Sequence, residues 1–228
     1  MRIPQLEGQA GTLKWMQRLA DRHSAQLEST LQGMRLLPAT ARLHWLSPRR
    51  DDHWAEYRDD AFVVQIARPD LVDKLAAFWP RRGPQWDGLA AGGGRVFLIE
   101  GKSHVDELRS NCPAGPPASD HIARSLQEAK EAFGALASAD WLDGYYQYAS
   151  RLAHLRFLRE NNVDAWLVFL YFTHDPAMTG PSSADTWKLH ARGVAKHLGL
   201  GGLHVQNVVN VMNVMNVMNV MLDTRTLD

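Results

Sequence analysis

Cysteine is almost missing from this chain of 228 residues: Cys112 is the single one. One thiol excludes an intramolecular disulfide and any zinc site built on paired cysteines, and it suits a reducing compartment. Lysine is scarce as well, six against 19 arginines, so each lysine can be weighed singly. Neither sign of charge is in excess. The 25 basic and 25 acidic residues cancel, which excludes an overall basic field and leaves any polyanion binding to a local patch. No apolar run approaches the ~18 residues of a membrane span, and the opening MRIPQLEGQAGTLKW lacks the apolar stretch of a secretion signal. The expectation is a cytoplasmic chain with no membrane contact.

What is present points to a folded core. Apolar residues make up 45% of the chain, and eight Trp, seven Phe and five Tyr exclude disorder as its general state. The length predicts one large domain over residues 1–205, including an N-terminal helical extension, followed by a low-complexity repeat tail over 206–228.

Periodicity supplies the elements. Leu13, Met16, Leu19, Ala20, His23, Leu27 and Leu31 recur at three and four, predicting a helix over 11–33. A short strand follows at 42–46, residues 51–67 read as either helix or strand, and Pro69 opens a helix that Pro80 closes. Residues 84–103 read as a β-hairpin around Gly92-Gly93-Gly94, its second strand running Arg95-Val96-Phe97-Leu98-Ile99-Glu100-Gly101-Lys102. Helices are predicted over 119–138, 140–161 and 184–198, and the most apolar run, DAWLVFLYFT at 164–173, as a central strand. The fold class is therefore α/β or α+β, a mixed sheet covered by helices. From Asn207 onward Asn recurs every three residues to Asn219. That period matches neither helix nor strand and predicts no continuous buried face, so truncation after Gly202 should leave the main fold standing.

Glu100 and Lys102 carry the strongest chemical signal. Two residues apart on a strand, they share a face, whereas Glu128 and Lys130, with the same spacing on a predicted helix, do not. An acid and an amine ending an apolar strand are costly unless paired with each other, a metal or a ligand. Across the hairpin turn, Asp87 falls opposite or diagonal to Glu100, on the same face if the register allows. Two converging carboxylates beside a lysine suit a hard divalent cation that keeps water and seeks phosphate. Held that close they repel, so replacing either acid should leave the metal-free protein no less stable.

Asp87 three residues after Pro84, then Glu100-Gly101-Lys102 closing the hairpin strand, resembles the PD-(D/E)XK nuclease superfamily over residues 70–173. The resemblance implies a restriction-endonuclease-like fold and Mg²⁺ (or Mn²⁺) held by Asp87, Glu100 and the backbone of Gly101. It implies Lys102 serving the water that attacks phosphorus, and a nucleic-acid partner, DNA first. An upstream acid would be Glu56 or Glu28. Gln147 and Arg151, four apart on a predicted helix, resemble the pair that touches DNA in some members, with His154 on the same stripe. Pro84 is not adjacent to Asp87, a departure from the usual pattern. More broadly, the chain from Glu56-Tyr57-Arg58-Asp59 through Tyr145-Tyr146-Gln147-Tyr148 to Leu200 resembles uncharacterised bacterial proteins, a likeness that implies no activity.

His104 would share the face of Lys102 if the strand continues, and Arg49-Arg50 and Arg81-Arg82 are candidate backbone contacts. Gly101-Lys102-Ser103 imitates the end of a phosphate-binding loop, but Val96 stands where that motif needs glycine. The leading expectation is a Mg²⁺-dependent DNA endonuclease, with a homodimer left open. The alternatives are a non-catalytic nuclease-fold module that binds protein or nucleic acid, and an unrelated α/β protein with a structural Glu100–Lys102 pair.

Overall fold

The apolar run at 164–173 forms the middle of the molecule. In the computed structural model, which describes residues 1–178, 183–200 and 217–227, it becomes one strand of a five-stranded mixed sheet. In chain order the elements are β1 (Arg2–Ile3), α1 (Gly11–Arg22), α2 (Ser24–Gly33), β2 (His44–Ser47), β3 (Glu56–Tyr57), α3 (Asp59–Gln65) and α4 (Val72–Phe78). There follow β4 (Gly88–Gly92), β5 (Arg95–Lys102), α5 (Ala118–Ala132), α6 (Tyr146–Glu160), β6 (Ala165–Thr173), α7 (Ala184–His197) and β7 (Val217–Asp223). The sheet runs β2-β4-β5-β6-β7, antiparallel from β2 to β5 and parallel from β5 to β7, while β1 and β3 pair separately.

The β4–β5 hairpin has the tightest local determinant. Gly92 pairs with Arg95, leaving Gly93 and Gly94 to make a two-residue turn with φ of +59° and +80°. That conformation is open to glycine without steric cost and twists as the strands do.

Alternation then sorts the strands onto two layers. Leu89, Leu98, Leu167, Phe169, Tyr171 and Val217 face α3 to α7. Ala90, Phe97, Ile99, Val168, Leu170 and Phe172 face α1 and α2. A central strand buried on both faces should read as a nearly unbroken apolar run, and β6 does. The helices differ from the periodicity in their ends: the predicted helix over 11–33 breaks at His23 into α1 and α2, and α6 begins only at Tyr146.

The repeat tail is where the sequence reading fails. Val217–Asp223 is strand β7, paired parallel to β6 from Leu167↔Val217 to Thr173↔Asp223. The physical reason is one residue. Continuing the Asn-Val-Met period would put Asn at 222, but the chain has Leu222, so Met218, Val220 and Leu222 make one wholly apolar face. All three are buried against the α1–α2 layer. On the other face Asn219 accepts a hydrogen bond from the Tyr171 hydroxyl at 2.9 Å. Leu203-His204-Val205, which the sequence alone also allows as an edge strand, lies outside the described residues.

Among the described residues no helix is long and apolar enough to cross a membrane.

Candidate active site

Register settles the relation of Asp87 to Glu100. The ladder of β4 and β5 pairs Gly88 with Ile99, so the next step along each strand brings Asp87 beside Glu100. Asp87 Oδ2 accepts a hydrogen bond from the Gly101 backbone N–H at 2.9 Å. Its Oδ1 has no hydrogen-bond partner among the described residues. Glu100 and Lys102 follow Leu98 onto the α6 face, and Lys102 Nζ lies 2.7 Å from Glu100 Oε1. Gly101 turns to the other face, where an added Cβ would meet Thr12 Cγ2 at 2.8 Å and Met16 Cγ and Sδ at 3.1 Å. Close packing of α1 on the strand therefore requires glycine there.

Asp87, Glu100 and Lys102 line one cavity of about 290 Å³ with Glu56, Arg82, Gln85, Tyr146, Gln147, Ser150 and Arg151. Of the two upstream acids, Glu56 is at the site and Glu28 is not. Glu28 accepts from Arg42 Nη1 at 2.7 Å and from the Leu43 N–H at 2.9 Å, under the opposite layer. Glu56 arrives through a contact that no local spacing reveals: Trp86 N–H donates to the Tyr57 carbonyl at 3.1 Å, seating β3 against the segment before Asp87. Gln85 Nε2 then donates to Glu56 Oε2.

Arg151 and His154, which share a polar stripe with Gln147, lie in the interior. α6 is buried around most of its circumference, and Arg151 and His154 are 6% and 2% exposed. Arg151 Nε donates to Glu100 Oε2 at 2.7 Å, Nη2 donates to the Gln85 carbonyl at 2.8 Å, and the guanidinium lies 5.0 Å from the Trp86 ring centroid. Gln147 lines the cavity, and its Oε1 is buried with no partner among the described residues. His154 donates from Nδ1 to the Ser150 carbonyl at 2.9 Å and packs edge-on to Phe78, Trp79 and Trp86. Carbonyl acceptance fixes the tautomer, and burial pushes its pKa down to about 3.

His104 does not extend the strand. β5 stops at Lys102, and His104 caps the short helical turn Val105–Leu108, its Nδ1 accepting from the Asp106 N–H. Arg49 and Arg50 are spent on Asp51 and Asp21, whereas Arg82 lines the cavity.

The carboxyls of the cavity stand in different electrostatic states. Desolvation works against Glu100, but Arg151 and Lys102 outweigh it and hold its carboxyl below the usual range. Burial pushes Asp87 well above that range, with the charges of Glu100 and Glu56 adding to the rise. Burial also raises Glu56, against the hydrogen bond from Gln85. Lys102 would lose its proton to burial alone, yet Glu100 and Asp87 keep it above its ordinary value.

Hard oxygen donors that are short of positive charge fit a divalent cation such as Mg²⁺ by chemistry. Among the described residues, however, no three His, Cys, Asp or Glu side chains are grouped so as to hold a metal ion. Both oxygens of Glu100 are already turned to Lys102 and Arg151. No family model, curated protein or solved structure matches this chain.

Proposed function

We propose that the protein is a Mg²⁺-dependent nuclease that hydrolyses phosphodiester bonds in DNA. One observation carries the reading: Asp87, Glu100 and Lys102 meet in a single cavity at the end of the hairpin, with Glu56, Gln147 and Arg151 around them. Asp87 and Glu100, with the backbone of Gly101, would hold the cation, which when bound supplies a Lewis acid for attack on phosphorus. Lys102 stays protonated beside Glu100 and is placed to orient water and to neutralise charge developing on the phosphate. Gln147, in the cavity lining, would contact the substrate, as the resemblance implies. Exposed Arg82 supports the local positive charge that a neutral protein needs at a polyanion site.

Complete ion pairing of Glu100 favours the second reading, a non-catalytic module of the same architecture that binds protein or nucleic acid. The two separate in one assay. Plasmid and single-stranded DNA are incubated with the purified protein in Mg²⁺, Mn²⁺ or EDTA. The nuclease reading expects cleavage that EDTA abolishes, that Asp87→Asn abolishes, and that Lys102→Met lowers by on the order of 10²-fold or more. No cleavage by folded protein in either metal would remove the nuclease reading.

A further inference from the structure

Glu100 offers two carboxylate oxygens, and a cation already sits at 2.7 Å from each. These two cations are not equally bound to their places. Lys102 is two residues along the same strand, on the same face, so strand geometry keeps it beside Glu100. It is also drawn by Asp87. Arg151 reaches in from α6 and, among the described residues, donates to two acceptors, Glu100 Oε2 and the Gln85 carbonyl, beside the Trp86 ring. The cavity of about 290 Å³ adjoins it, lined by Arg82, Tyr146, Gln147 and Ser150.

We propose that Arg151 is the resident counter-cation of this site: a divalent cation takes Glu100 Oε2 from it, and the released guanidinium becomes the group that grips the substrate phosphate. The proposal rests on the nuclease reading, in that Asp87 and Glu100 are its cation ligands. Formal charges favour exchange over simple addition. With a cation bound, Glu56, Asp87 and Glu100 would all be ionised and carry −3, and Lys102 and Arg151 restore +2, leaving −1 from the side chains. A divalent cation added to that set gives +1 in a desolvated site, whereas the same addition with Arg151 released gives 0. A phosphodiester then offers the planar guanidinium two acceptors in place of the Glu100 oxygen it leaves, the geometry that arginine matches best. Metal and substrate phosphate would thus bind cooperatively through one side chain, each favouring the arrangement the other needs.

Calorimetric titration with Mn²⁺ alone, without nucleic acid, tests the exchange. Arg151→Gln removes the competitor and should bind Mn²⁺ about tenfold more tightly than the unsubstituted protein. Arg82→Gln removes an equal charge from the same cavity without touching Glu100 and should change the affinity less than twofold. Unchanged or weaker binding by Arg151→Gln, or equal tightening in both variants, overturns the exchange while the metal site stands. No Mn²⁺ binding by any of the three proteins removes the metal site and the proposal together. Because Arg151→Gln could fail to fold, the unsubstituted protein labelled with ¹⁵N-arginine provides a second measurement. The Arg151 Nε–H resonance should move along the binding isotherm as Mg²⁺ is added, and a resonance unmoved at saturation overturns the proposal.

Discussion

Glu100 and Asp87 line one cavity as acids of opposite standing, and substitutions should separate them. Removing the Glu100 charge leaves Lys102 and Arg151 buried with a neutral partner, an arrangement that costs about 3–5 kcal/mol. Glu100→Gln should therefore lower the unfolding free energy by that amount in a urea titration. Asp87 is desolvated among like charges, and Asp87→Asn keeps an acceptor for the Gly101 N–H. It should match the unsubstituted protein within about 1 kcal/mol or exceed it. The expectation that either acid could be replaced without loss treats them as equivalent, whereas Glu100 is paired with Lys102 and Arg151 and Asp87 is not. His154 makes a further test at this scale. Its imidazole stays neutral in the folded protein down to about pH 3 but takes up a proton near 6.5 when unfolded. Between those values the unfolded state binds more protons, so stability falls as pH falls, by up to ~1.4 kcal/mol per unit. From pH 7 to pH 5 the unsubstituted protein should lose about 2 kcal/mol more than His154→Gln, whose other titrating groups are shared and cancel in the difference. The Glu100–Lys102 pair was legible because strand spacing alone brings such residues together. The partner of Arg151 was not: a polar stripe on a helix reads as solvent-facing until a third layer is known to cover it.

At the scale of elements, the hairpin and β6 could be read from turn chemistry and from unbroken apolar runs, which are local properties. The split of 11–33 at His23 and the late start of α6 depend on packing and were not legible. β7 was missed because a three-residue period conceals the single departure, Leu222, that makes one face apolar. Val217, Met218, Val220 and Leu222 are buried at roughly 1.5–3 kcal/mol each, a sum comparable with the ~5–15 kcal/mol that holds a whole domain together. A chain ending at residue 216 should therefore lose its cooperative thermal transition by circular dichroism, where the repeat reading expects the fold to survive. Tyr171 adds a smaller test. Its hydroxyl joins Tyr148 at 2.7 Å to Asn219 at 2.9 Å, and Tyr171→Phe should cost about 1–3 kcal/mol by stranding buried polar groups.

In the molecule as a whole, the site draws on β3, the segment before β4, β5 and α6, which are far apart in sequence and meet over one sheet face. Its strand half was visible in the sequence, and its helix and β3 half only in the fold. Among the described residues β7 is the last strand of the sheet, and its sequence has an evolutionary corollary. Residues 210–221 are four identical Asn-Val-Met units, so a chain with one unit fewer still delivers Val-Met-Asn-Val-Met followed by Leu222 and Asp223 to the edge of the sheet. Deleting residues 210–212 leaves the residues that form β7 the same in kind and order. The deletion variant should melt within about 2 °C of the full chain. Replication slippage in such a tract would then produce length variants that fold alike, so the copy number of the unit can drift while the strand it feeds stays the same.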